Sequence, residues 1–141
     1  MVQIDDSELR AILSEARMSY PEECCGALLG RVDGGAGRRV VRAVGIFNRR
    51  RDQRRRRYLI GPDDVRTVED AAARGGLDVL GFYHSHPDHP AIPSAFDRDH
   101  AWPWYTYLIV PVSGGEPGAP RAWRLKQDRQ DFDELRLQRE E

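Results

Sequence analysis

Apolar and polar positions alternate along this chain in short segments, each long enough for one helix or one strand. After Asp5, Asp6 and Ser7, the residues Leu9, Ile12, Leu13 and Ala16 recur at i, i+3, i+4 and i+7, the spacing of one helix face. Tyr20-Pro21 ends that pattern, because the residue before a proline is biased away from helical backbone. Cys24–Gly30 is an apolar run of buried-strand length. The Gly-rich stretch from Asp33 to Gly37 predicts a loose hairpin into Arg38–Asn48, where Val40, Val41, Val44 and Ile46 suit a second strand. Tyr58–Ile60 predicts a third, short strand. Pro62 stands at the head of a helix running through about Arg74 and closed by Gly75-Gly76.

The second half repeats the alternation. Leu77–His84 reads as a central strand, and the three prolines between Pro87 and Pro93 demand an ordered loop. Ser94 is placed to cap a short helix through about His100. Tyr105–Val112 is the most apolar strand, Gly114–Pro120 a turn-rich connection and Arg121–Leu125 another strand. Beyond Gln127 charge dominates, with Phe132 and Leu135 expected to anchor a last helical turn or two. No repeat and no linker divides the chain. The expectation is a single α/β domain of the mixed α+β kind, with a mixed central sheet flanked by two or three helices. Its folded unit would span residues 1–126, and 127–141 would form a charged tail or short helix.

Composition sets limits on this picture. A chain of 141 residues fits one domain, which can bury roughly two-thirds of its extended surface without disulfides. No apolar run approaches the roughly 18 residues of a membrane span, and the acidic start Met1–Asp6 lacks the basic and apolar regions of a signal peptide. A cytoplasmic protein with no membrane partner is expected. With 22 basic and 23 acidic side chains the net charge is -1, which argues against a nucleic-acid partner. That balance conceals a local excess, since seven arginines lie between Arg49 and Arg57. They read either as a solvated hairpin tip or as a docking surface for an acidic protein. Cys24 and Cys25 are adjacent, so they cannot span an ordinary disulfide, and two reduced thiols are expected.

The candidate chemistry lies in Gly81–Asp97. His84 and His86 are two apart at a strand end, so both imidazoles project to one side, half of a tetrahedral zinc site. Ser94 and Asp97 are three apart at a helix start and share a face. A carboxylate from Asp97 would complete a set of three ligands and leave the fourth position open, as in catalytic zinc sites. Either half alone is weak, because His-x-His is common and Ser-x-x-Asp is usually only a helix cap. Their joint occurrence on a strand, a loop and a helix is rare. His89 and Asp88 read as loop residues at a substrate entrance or in solvent, and Asp99 and His100 as ligand-orienting or surface residues.

His84-Ser85-His86, seven residues, Ser94, two residues and Asp97 resemble the signature of the JAMM (MPN+) zinc metalloproteases. Upstream, Glu22-Glu23-Cys24-Cys25-Gly26 and the apolar run ending at Gly30 are similar to the segment that holds the catalytic glutamate in short bacterial members. The resemblance implies an MPN fold, cytidine-deaminase-like, over most of the chain. It implies one Zn²⁺ per chain held by His84, His86 and Asp97. Glu23 would be the general base and then acid, and Ser94 would stabilise the oxyanion. The reaction would be hydrolysis of a peptide or isopeptide bond beside the Gly-Gly end of a small ubiquitin-like, sulfur-carrier protein, with that carrier as the partner. The competing expectation is a non-catalytic metal-binding or scaffold MPN protein, against which the presence of all five residues argues. The extra Cys24 and the arginine run depart from the family pattern.

Overall fold

The computed structural model describes residues 1–34, 37–47 and 60–141. The chain opens with β1 (Val2–Asp5) and α1 (Asp6–Ser19), followed by β2 (Cys25–Asp33) and β3 (Gly37–Ile46). Next come α2 (Pro62–Arg74), β4 (Asp78–Pro87), α3 (Ala95–His100) and β5 (Thr106–Ser113). The short β6 (Glu116–Pro117) precedes β7 (Arg121–Leu125), β8 (Phe132–Leu135) and β9 (Leu137–Glu140). Among the described residues the strands join one mixed sheet in the order β8-β7-β5-β4-β2-β3-β1-β9, with β6 paired to β5. The mixed α+β domain with three helices is therefore the expected one.

Local chemistry explains the elements. On α1, Leu9, Ile12 and Ala16 are buried and Leu13 packs beside them, so the apolar stripe becomes the inner face. On α2, Pro62 occupies the first turn and the Asp64 carboxylate accepts from Gly61 N at 3.0 Å, while Gly76 at φ 66° supplies the left-handed turn after the helix. The two helices cover opposite faces of the central strands. Leu28, Leu80, Tyr83, Leu108 and Val110 pack with α1, whereas Ala27, Leu29 and Phe82 pack with Val68 and Ala72 of α2. Gly26 is required where it stands, because a Cβ there would collide with the Tyr83 ring.

β4 pairs antiparallel with β2 and parallel with β5. A parallel pair needs a crossover, and residues 88–105 supply it with α3 inside. This connection carries the chain from the C-terminal end of β4 over the site and back. It is fixed at three points. Asp88 accepts from the Tyr20 hydroxyl at 2.8 Å and from Gly114 N at 2.9 Å, and Trp123 Nε1 donates to Ala91 O at 3.0 Å.

One expectation is corrected. The segment after Gln127 holds no helix: Phe132–Leu135 pairs with β7 and Leu137–Glu140 pairs in parallel with β1. Leu135 and Leu137, two apart, both turn toward the core, so a strand period overrides the three-residue spacing of Phe132 and Leu135. The strand β1 was not anticipated, although its Val-Gln-Ile-Asp alternation buries Val2 and Ile4. The strand expected at Tyr58–Ile60 and the Arg49–Arg57 run lie outside the described residues, Ile60 excepted, and Ile60 is not in a strand.

Candidate metal centre and active site

β4 ends at His84-Ser85-His86-Pro87, all buried. Strand alternation sends His84 and His86 to one face, where their Nε2 atoms stand 3.1 Å apart. α3 brings Asp97 to the same point, with Oδ2 at 3.1 Å from His86 Nε2 and Oδ1 at 3.4 Å from His84 Nε2. One ligand atom from each of the three residues lies within 4.8 Å of the others, and all three side chains are buried. Sequence spacing thus brought together the residues it named.

Ser94 orients the carboxylate. Its backbone N donates to Asp97 Oδ2 at 2.9 Å, and its Oγ accepts from Asp97 N at 3.1 Å, a reciprocal capping box that fixes both the start of α3 and the Asp97 side chain. The hydroxyl proton of Ser94 remains available to a further acceptor, on an exposed residue. His86 is oriented from the loop. Its Nδ1 lies 2.8 Å from Pro90 O, which can only accept, so Nδ1 carries the hydrogen and Nε2 keeps its lone pair.

This tautomer tests whether the residues suit a cation. Two imidazole nitrogens and a carboxylate, crowded at about hydrogen-bond distance, present more lone pairs than protons to one another. A cation among them turns that repulsion into coordination, and an N, N, O donor set in a buried site suits Zn²⁺. Charge agrees with this. Burial pushes His84 below its ordinary value of 6.5, against the opposing pull of Asp97, so the neutral, metal-ligating imidazole is favoured. Burial by itself would raise the Asp97 carboxyl; His84, His86 and the Ser94 N–H outweigh it and hold the group well below the usual carboxylate range. Part of that lowering needs a charged His84, which burial opposes. The Ser94 N–H favours the carboxylate whatever form His84 takes.

Glu23 is buried and precedes β2 by two residues. The β2–β4 register runs as far as Cys25 opposite His84, two residues after Glu23. Glu23 also lines a cleft of about 480 Å³ with Glu15, Glu22, Met18 and Phe47. Cys24 and Cys25 are free, buried thiols. Burial pushes Cys24 up to about 12 and Cys25 higher still, so neither is a thiolate nucleophile at neutral pH. Both are small groups packed in the interior, and the two free thiols are the state expected from their adjacency.

The other residues singled out in the sequence are not among the three clustered ligands. His89 is exposed, and Asp88, also exposed, anchors the crossover. His100 turns its Nδ1 to Phe96 O at 2.9 Å and stacks on the Phe96 ring, and Asp99 is exposed beside Arg98. Sequence reasoning passed over two contributors, the Pro90 carbonyl and Ser85. The carbonyl has no signature in a sequence; Ser85 stood in plain view between the histidines.

Comparison with known proteins gives the same answer as the geometry. Residues 5–126 match the family of prokaryotic homologs of the JAB domain. A desampylase of Haloferax volcanii is 38% identical over 109 residues, 74% of this chain and 76% of that protein. The solution structure of a Desulfitobacterium hafniense protein is 33% identical, with a TM-score of 0.84 over 100% of this chain and 94% of that one. A JAB1/MPN domain protein from Archaeoglobus fulgidus, only 19% identical, shares the fold with a TM-score of 0.59 over 99% of both chains. With its family model covering most of its length and its metal-ligand cluster assembled, this chain belongs to the prokaryotic homologs of the JAB domain and is a hydrolase of the JAMM type.

Proposed function

We propose that the protein is a zinc-dependent metallopeptidase that cuts a peptide or isopeptide bond at the Gly-Gly end of a small ubiquitin-like, sulfur-carrier protein. The observation that carries this reading is the buried convergence of His84, His86 and Asp97 at the end of β4. Support for the substrate class comes from relatives in Haloferax volcanii and Pyrococcus furiosus that bear the name desampylase. The chemistry a bound Zn²⁺ supplies is Lewis acidity, which brings the pKa of water toward about 7.

The chain's own groups do the rest. His84, His86 and Asp97 would hold one ion per chain. The Glu23 carboxylate takes a proton from the attacking water and passes it to the departing amine. Ser94 donates its hydroxyl proton to the oxyanion that develops on the carbonyl, while its oxygen goes on capping α3. The buried, protonated Cys24 and Cys25 take no part, so no acyl-enzyme forms.

The test is metal content by elemental analysis, followed by cleavage of a Gly-Gly-tailed carrier joined to cysteine or to a lysine side chain. Wild type should bind zinc and cleave one of them. Glu23→Gln should keep zinc and lose about 10²–10⁴-fold in turnover, and His84→Ala should lose both. A wild-type protein without zinc affinity would overturn the metal assignment, and normal turnover by Glu23→Gln would overturn the base.

A further inference from the structure

Ser85 is completely buried, and it sits between two ligands without being one. β2 and β4 pair from Gly30 opposite Asp78 to Cys25 opposite His84. The next step in that register is Cys24 opposite Ser85. In an antiparallel ladder such a pair exchanges two main-chain hydrogen bonds. Only one of them forms: Ser85 N donates to Cys24 O at 3.1 Å. In place of the other, Cys24 N donates to the side-chain Oγ of Ser85 at 2.9 Å. The serine hydroxyl takes the position of its own carbonyl, and the ladder ends there with β2 held off from β4 by the side chain.

The N–H that Ser85 holds belongs to the peptide joining Glu23 to Cys24. One buried hydroxyl therefore links the strand of the two histidines to the peptide plane from which the Glu23 side chain departs. A second set of contacts fixes the same corner. Glu15 of α1 lies beside Cys24 and accepts from the Tyr83 hydroxyl of β4 at 2.7 Å. The main chain of Cys24 is thus tied to β4 at both its N–H and its carbonyl, and Glu23 is carried on the fixed end.

We infer that Ser85 is a positioning residue, whose hydroxyl sets the placement of the Glu23 carboxylate over the His84–His86–Asp97 cluster. This rests on the reading of Glu23 as the general base. Without the hydroxyl, Cys24 N either loses its partner or closes one further ladder step onto Ser85 O. Either change rotates the Glu23–Cys24 peptide and moves the carboxylate, while the imidazoles, which depart from the opposite face of β4, stay in place.

The experiment compares wild type, Ser85→Ala, Ser85→Cys, Glu23→Gln and the Ser85→Ala/Glu23→Gln double variant on one isopeptide-linked, Gly-Gly-tailed ubiquitin-like substrate. Zinc content, melting temperature, kcat and KM are measured for each. Ser85→Ala should keep the wild-type zinc stoichiometry, lower kcat by 10–100-fold and change KM less than twofold. Its effect should vanish in the Glu23→Gln background, because a residue acting through Glu23 has nothing left to position. Ser85→Cys fills the same space with a poor acceptor; should the alanine variant not fold, the cysteine variant is expected to show the same kcat loss. Three outcomes overturn the proposal: kcat within twofold of wild type, loss of zinc by a folded Ser85 variant, or an equal loss of kcat with and without Glu23. Wild-type turnover by Glu23→Gln is a separate result, which removes the general base itself and is read from that single variant.

Discussion

Ser94 carries two loads that substitution can separate. Its oxygen caps α3, and in the proposed reaction its proton would serve the oxyanion. Glycine at an N-cap costs only a few tenths of a kcal/mol relative to serine, whereas alanine costs about 1 kcal/mol. Ser94→Gly should therefore melt close to wild type, keep its metal and lose about 10²-fold in kcat, the usual cost of one oxyanion donor. A variant that turns over normally would reduce Ser94 to a cap. The side chains of this site were legible because spacing converts directly into geometry: two residues on a strand or three on a helix share a face. His86 shows where that conversion stops. Its tautomer is set by Pro90 O, and a main-chain carbonyl leaves no mark on residue choice. Ser85 escaped attention for a related reason. Strand alternation places it on the face away from the two histidine side chains, and its partner is a backbone N–H, again without a letter in the sequence.

Between elements, the contact most sensitive to conditions is the one joining α1 to β4. Glu15 on α1 is half-buried and accepts from the Tyr83 hydroxyl, close to Cys24 and Glu23. Burial raises the Glu15 carboxyl above its ordinary value of 4.5, although hydrogen bonds from Tyr83 and Cys24 oppose the shift. A raised folded pKa means that the folded state holds its proton more tightly than the unfolded chain. The associated stability is whole below pH 4.5 and is lost as pH rises through the folded value. Glu15→Gln keeps an acceptor for Tyr83 and removes the titration. Denaturant unfolding across pH 4.5–8 should show wild type losing stability relative to Glu15→Gln as pH rises; parallel curves would contradict the burial argument. Elements with a full period were legible in the sequence, as on α1 with its four-position stripe and on β5 with its unbroken apolar run. Those that failed were too short to display one. β1 offers two alternations, and β8 and β9 four residues each on either side of Arg136. In such segments pairing with a neighbour, rather than local pattern, decides the conformation.

At the scale of the whole molecule, the C-terminal segment has an unusual position. β8 lies at one end of the sheet order and β9 at the other, yet only Arg136 separates them. Val2 N donates to Arg136 O at 2.8 Å, so the joint itself is engaged. One stretch of chain thus covers the outer side of both β7 and β1, and neither presents an open edge to another molecule. This arrangement couples two places that have no direct pairing with each other. If residues 132–140 detach, the amides of β1 and β7 that point at them meet solvent in the same event. Native-state deuterium uptake should therefore give those two groups of amides a common opening free energy, below that of the β4 and β5 amides. Separate values for β1 and β7 would mean that β8 and β9 come away independently, each guarding only its own border.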